Sequence, residues 1–99
     1  MPRPIPVQVK HCVVVAFSKA THLQSIYAQV EDDLNSATIF VFANEHDDIV
    51  YEEVLDAEST LDALFPSLTF NVRVLATQGR SAEEMACGFL HLPKEHKVY

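Results

Sequence analysis

Residues 47–65 read DDIVYEEVLDAESTLDALF, and the sheet this chain can build depends on how they coil. As a helix, Val50, Val54, Ala57, Leu61, Leu64 and Phe65 recur at helical spacing and form one apolar stripe. Asp48, Glu52, Asp56 and Ser59 then fall on the opposite, solvated side. Acids in the first turn suit the positive end of the helix dipole. Pro66 supplies the stop, because the residue before a proline avoids helical backbone. The competing reading makes Ile49–Leu55 (IVYEEVL) a strand paired with Ala37–Ala43 through NEHDD, and leaves a shorter helix over Ala57–Phe65. The stripe runs unbroken for about five turns, which favours one long helix over 48–65 despite its β-branched start.

Working outward, Ala37–Ala43 (ATIFVFA) is apolar at consecutive positions, as in a central strand buried on both faces. Leu68–Thr77 (LTFNVRVLAT) alternates instead. Leu68, Phe70, Val72, Val74 and Ala76 point one way, and Thr69, Asn71, Arg73 and Thr77 the other, as in a half-exposed edge strand. Val7–Phe17 (VQVKHCVVVAF) is rich in β-branched residues and reads as a strand. The segment after it reads as a helix: Thr21 and Gln24 match a capping box, and Leu23, Ile26, Tyr27, Val30 and Leu34 share a face. Ser81 and Glu84 match a second capping box before a short final helix, which Gly88 and Pro93 break up. Residues 1–6 (MPRPIP) read as a proline-rich extended arm and 93–99 as a loose tail.

The expected architecture is one α/β domain spanning 1–99, in the order β-α-β-α-β-α. Right-handed crossovers would give a mostly parallel three-stranded sheet. The alternative order, β-α-β-β-α-β, is that of a ferredoxin-like α+β sandwich.

Composition narrows the function. An apolar fraction of 48% in 99 residues suits one globular core. No segment approaches the roughly 18 consecutive apolar residues of a membrane helix. The run Val13–Phe17 is too short for a secretory h-region, so a cytoplasmic protein is expected. Cys12 and Cys87 form no CxxC pair and read as reduced core residues, with no disulfide.

The net charge is −7, unevenly spread. No Lys or Arg occurs from Ala20 to Val72, while eleven acids fall inside that span, at 31–33, 45, 47, 48, 52, 53, 56, 58 and 62. Such a chain repels phosphate backbones, which disfavours nucleic acid as a partner. An acidic surface keeps a protein in solution, and it can also dock a basic partner.

Ligands of open α/β sheets sit beyond the carboxyl ends of parallel strands. In the expected order three loops meet there, contributing Lys19, then Asn44 and His46, then Gln78, Gly79, Arg80 and Ser81. A glycine permitting close approach, helix-start amides and a guanidinium fork suit a small anion. The same residues also begin an ordinary capped helix. Thr77, Gly79, Arg80 and Ser81 locally resemble the nucleotide loop of universal stress proteins. That family's earlier glycine is Ala76 here and its later Gly-Ser/Thr pair is missing, so no activity is carried over.

Glu45, His46, Asp47 and Asp48 are dense in potential metal ligands but lack the alternation and central glycine of a calcium loop. Helix capping accounts for Asp47 and Asp48. Cys87 and His91 stand four apart, though Gly88 weakens the helix that would present them. His11 and Cys12 on a strand would face opposite ways. With glycine only at 79 and 88, neither a dinucleotide fingerprint nor a P-loop can be written. No cofactor or metal is expected, and no catalytic set.

One surface feature remains. Tyr51 and Leu55 sit one turn apart outside the apolar stripe, beside Asp48, Glu52 and Asp62. Large apolar groups with a charged rim resemble a docking anchor. The expected function is a non-enzymatic protein-binding module that uses Tyr51, Glu52, Leu55 and Asp56 against a basic partner or in a homodimer. The alternative is a binder of a small anionic ligand at the strand ends.

Overall fold

The computed structural model describes residues 7–20, 23–30, 36–45, 47–66, 68–92 and 96–98. Its elements in chain order are α1 (Val7–Ala16), β1 (Ser25–Val30), β2 (Ser36–Ala43), α2 (Asp48–Leu64), β3 (Thr69–Ala76) and a short π-helix, Glu84–Phe89.

Asp47 caps α2. Its carboxylate accepts the Val50 amide at 3.0 Å, satisfying one donor that every helix start leaves over. The helix runs unbroken to Leu64, and the Phe65 amide donates back to the Leu61 carbonyl. Val50, Val54, Ala57 and Leu61 are its buried residues, four of the six in the stripe read from sequence; Leu64 is exposed and Phe65 half-buried. The long-helix reading of 48–65 holds.

β2 is the central strand. It pairs antiparallel with β1, Ser25 opposite Phe42 and Val30 opposite Ala37. It pairs parallel with β3, Ser36 opposite Thr69 and Ala43 opposite Ala76. The sheet is therefore mixed, in the order β1-β2-β3, and its strands and crossover helix follow one another as β-β-α-β. This overturns both expected architectures, the mostly parallel β-α-β-α-β-α order and the ferredoxin-like β-α-β-β-α-β order.

Two segments carry the difference. Val7–Phe17, expected as a strand, forms α1. Val9, Val13 and Phe17 are buried one turn apart, with Cys12 and Ala16 half-buried beside them. The β-branched run costs a few tenths of a kcal/mol per residue in a helix, roughly up to 0.7 relative to alanine. Burying each valine or phenylalanine returns about 1.5–3 kcal/mol, so packing overrides propensity.

The segment from Thr21 to Leu34, expected as a helix, instead contributes β1; Thr21 and 31–35 lie outside the described residues. Ser25 to Ala28 are buried on both faces, so the strand shows no alternation and its apolar residues mimic helical spacing. Ile26 and Ala28 join the core under the helices. Tyr27 turns to the other face and meets the Phe42 ring edge-on, with centroids 5.7 Å apart.

Both helices cover one face of the sheet. On the other face, Ala86 and Leu92 close over Tyr27 and Phe42, with Phe40, Leu75, Met85 and Cys87 packed around them. The chain then returns along β1: the Val98 amide donates to the Ile26 carbonyl at 2.7 Å and Lys97 bridges Tyr27. Residues 96–98, inside the segment expected to be loose, are laid against the sheet, with His96 buried.

Candidate functional site

The strand-end loop takes its shape from the parallel pairing of β2 and β3, which brings their carboxyl ends side by side. The Thr77 amide donates to the Ala43 carbonyl at 2.8 Å and the Gln78 amide to the Asn44 carbonyl at 2.9 Å. Gln78 and Gly79 both adopt positive φ, 52° and 88°, and the Arg80 amide closes the turn onto the Thr77 carbonyl at 3.0 Å. Two successive left-handed residues are the pattern of a type I′ turn, which glycine tolerates and most side chains do not. Asn44 Oδ1 accepts the Gly79 amide at 2.7 Å. Beneath this turn the buried Thr77 hydroxyl donates to Gln24 Oε1 at 3.1 Å.

Asn44, Gln78, Gly79 and Arg80 are thus brought together. The amides that would cradle an anion already serve the protein, however. Ser81 Oγ accepts the Glu84 amide at 3.4 Å, one half of the expected capping box. The Arg80 guanidinium lies 5.9 Å from the centroid of the exposed Phe89 ring. His46 lies outside the described residues.

Lys19 is placed differently. With α1 helical, Ser18 and Lys19 form the turn that ends α1 rather than the end of a strand. Lys19 lines an open groove of about 620 Å³ between α1 and α2, with Val15, Ala16, Ser18 and Ala20 on one wall and Glu53, Asp56, Ser59 and Thr60 on the other. A second groove joins Gln8, His11 and Cys12 of α1 to Leu64 and Phe65. His11 and Cys12, expected to diverge on a strand, line the same groove. Cys12 and Cys87 are both free thiols, half-buried. Among the described residues no three His, Cys, Asp or Glu side chains are grouped to hold a metal ion, and no helix is long and apolar enough to cross a membrane.

The outer face of α2 presents the predicted docking residues. Tyr51 is 53% exposed and Leu55 43%, with Glu52 exposed beside them, whereas Asp56, also exposed, lies toward the α1 groove that it helps to line. A helix turns about 100° per residue, so each flank can be assigned. Glu53 and Thr60 face the α1 groove. Turned well away from them, Tyr51, Leu55, Glu58 and Asp62 follow one another at i, i+4, i+7 and i+11 on the opposite flank. Sequence reasoning named Tyr51, Leu55 and Asp62 and passed over Glu58, although the same spacing contains it. Ile49, 53% exposed at the helix start, falls instead on the α1 flank, one turn before Glu53.

Among the described residues, the most perturbed ionisable group lies away from that face. Burial, together with Cys87, which also hydrogen-bonds to it, and the charge of Glu83, pushes the Tyr27 phenol up to about 12. No protein-family model matches the chain, and no curated protein matches it significantly.

Proposed function

We propose that this chain is a non-enzymatic binding module that docks a basic protein on the outer face of α2. The observation that carries this reading is the pair Tyr51 and Leu55, large side chains exposed one turn apart on one flank of α2 beside Asp48, Glu52 and Asp62. Apolar anchors supply most of the affinity of a small interface, while a charged rim selects the partner and speeds encounter. The net charge of −7 makes that partner basic and disfavours a phosphate backbone.

A photo-crosslinking residue placed at Leu55, in protein expressed in its own host, tests this. A basic protein should become attached there, and not from the same residue placed at Val14. The adduct should vanish when Glu52 and Asp56 are changed to Lys. An adduct indifferent to that charge reversal, or none at all, removes the reading.

The second reading is a small anion at the strand ends, held by the Arg80 guanidinium in the exposed turn beside Asn44, since the Gln78, Gly79 and Arg80 amides are already donated within the protein. Nucleotides and sugar phosphates should then raise the melting temperature, and Arg80→Ala should abolish the rise. No rise with any of them removes this alternative.

A further inference from the structure

Successive residues of a strand direct their backbone groups to opposite sides. The Thr77 amide donates to Ala43, which sets the phase of β3: Thr69, Asn71, Arg73 and Leu75 address β2. Phe70, Val72, Val74 and Ala76 therefore present their N–H and C=O groups outward. Among the described residues no strand pairs with them, since β3 ends the sheet. The opposite edge is different, because the Val98 amide and Lys97 already bond along β1. The β3 edge also lacks the usual guards against pairing. It contains no proline, its register is continuous over eight residues, and its one charge, Arg73, projects on the face away from the helices.

α2 packs against β3 on the helix side of the sheet. α1 occupies the flank of α2 that carries Glu53 and Thr60, so the Tyr51–Leu55–Glu58–Asp62 flank lies on the outer, β3 side. Phe65 at the end of α2 meets Phe70 at the start of β3, with ring centroids 6.5 Å apart, so helix and strand run in opposite directions. Tyr51 and Leu55 accordingly stand near the Ala76–Val74 half of the edge, and Glu58 and Asp62 near the Val72–Phe70 half. Val72, Val74 and Ala76 are only half-buried beneath them.

We propose that the outer edge of β3 receives an extended, lysine- or arginine-bearing segment of the partner protein, which adds as a fourth strand under the Tyr51–Leu55–Glu58–Asp62 flank of α2. This inference rests on the basic-partner reading and specifies how that partner is held. Main-chain hydrogen bonds supply affinity, and alternate side chains supply selection. On the helix side the segment carries apolar residues beside Tyr51 and Leu55 and basic residues beside Glu58 and Asp62. On the other side, next to Arg73, it carries uncharged or acidic ones. A second copy of the chain is disfavoured as the occupant, because two molecules of net charge −7 would bring these acidic flanks together.

The probe is a synthetic octapeptide alternating threonine with a second series of two valines followed by two lysines, made in both directions. Bound peptide should slow amide exchange at Val72 and Val74 by about tenfold or more, and leave the already paired Asn71 and Arg73 unchanged. The same peptide N-methylated at the edge-facing amides should lose about tenfold or more in affinity. Glu58→Lys with Asp62→Lys, both changes at the surface, should weaken the lysine peptide similarly. Equal binding of the N-methylated peptide overturns the inference. So does peptide binding that moves Tyr51 and Leu55 resonances without protecting Val72 and Val74, although the α2 docking reading then survives. Protection that appears with protein concentration alone identifies a second copy and also overturns it. No response at any resonance removes this inference, while the crosslinking result at Leu55 decides the docking reading separately.

Discussion

Asn44 and Gly79 are joined across the open end of the sheet: Asn44 Oδ1 accepts the Gly79 amide at 2.7 Å. The residue leaving β2 thereby holds the turn that leaves β3. Asn44→Ala should cost about 1 kcal/mol of unfolding free energy, the usual net worth of one such bond. Asn44→Asp keeps the acceptor and should cost less. Urea titrations of the three proteins check this; identical midpoints would show that the bond contributes nothing.

Val14 and Val15 give a test of sign. Both are exposed on α1, 43% and 42%. Replacing an exposed β-branched residue inside a helix by alanine stabilises it by about 0.5 kcal/mol, whereas the same change in a strand destabilises. Val14→Ala should therefore raise the melting temperature, and a fall would contradict a helical α1.

Leu61 and Leu64 are one turn apart on α2 with opposite surroundings. Leu61 is fully buried and Leu64 is 47% exposed. Leu61→Ala should destabilise by about 2–5 kcal/mol through the cavity it leaves, and Leu64→Ala by well under 1. Equal losses would mean that the stripe is set on the wrong side of the helix.

Tyr27 predicts an alkaline limit. Its phenol ionises near 10.0 when unfolded and is pushed up to about 12 when folded. The folded chain therefore keeps a proton that the unfolded chain has lost. Stability from this group is complete below pH 10 and is lost as pH rises toward 12. Tyr27→Phe should flatten that decline in stability measured between the two values. A slope unchanged by the substitution would assign the decline to other groups.

Legibility from sequence followed burial. α2 and β3 each expose one side, so their apolar residues keep a period, and both were readable to within one residue at each end. β2 buries its helix-side face and half-buries the other at Ser36, Thr38 and Phe40, and it was recognised because seven consecutive residues leave little room for another reading. β1 is buried on both faces at Ser25–Ala28, yet Leu23 and Val30 extend its pattern into an apparent helix. In α1 the stripe Val9, Cys12, Val13, Ala16, Phe17 was present, but the valine run masked it. Mistaking these two elements reversed one strand direction, and Lys19 moved with them from a strand end to a helix groove. The exposure of Tyr51 and Leu55 beside acidic residues needed only α2 and was legible. That β3 lies at a sheet edge was legible from its alternation, but which of its backbone groups go unpaired among the described residues was not, since that is a property of topology.

The mixed pairing of β2 has a kinetic consequence. Its antiparallel partner is near in the chain, while its parallel partner arrives only after all of α2 has been traversed. Closing the shorter loop sacrifices less chain entropy, so the β1–β2 ribbon should assemble first and template the rest. Pulse-labelling during refolding should find the β1 and β2 amides shielded before those of β3; simultaneous shielding would mean that α2 and its crossover form the nucleus instead.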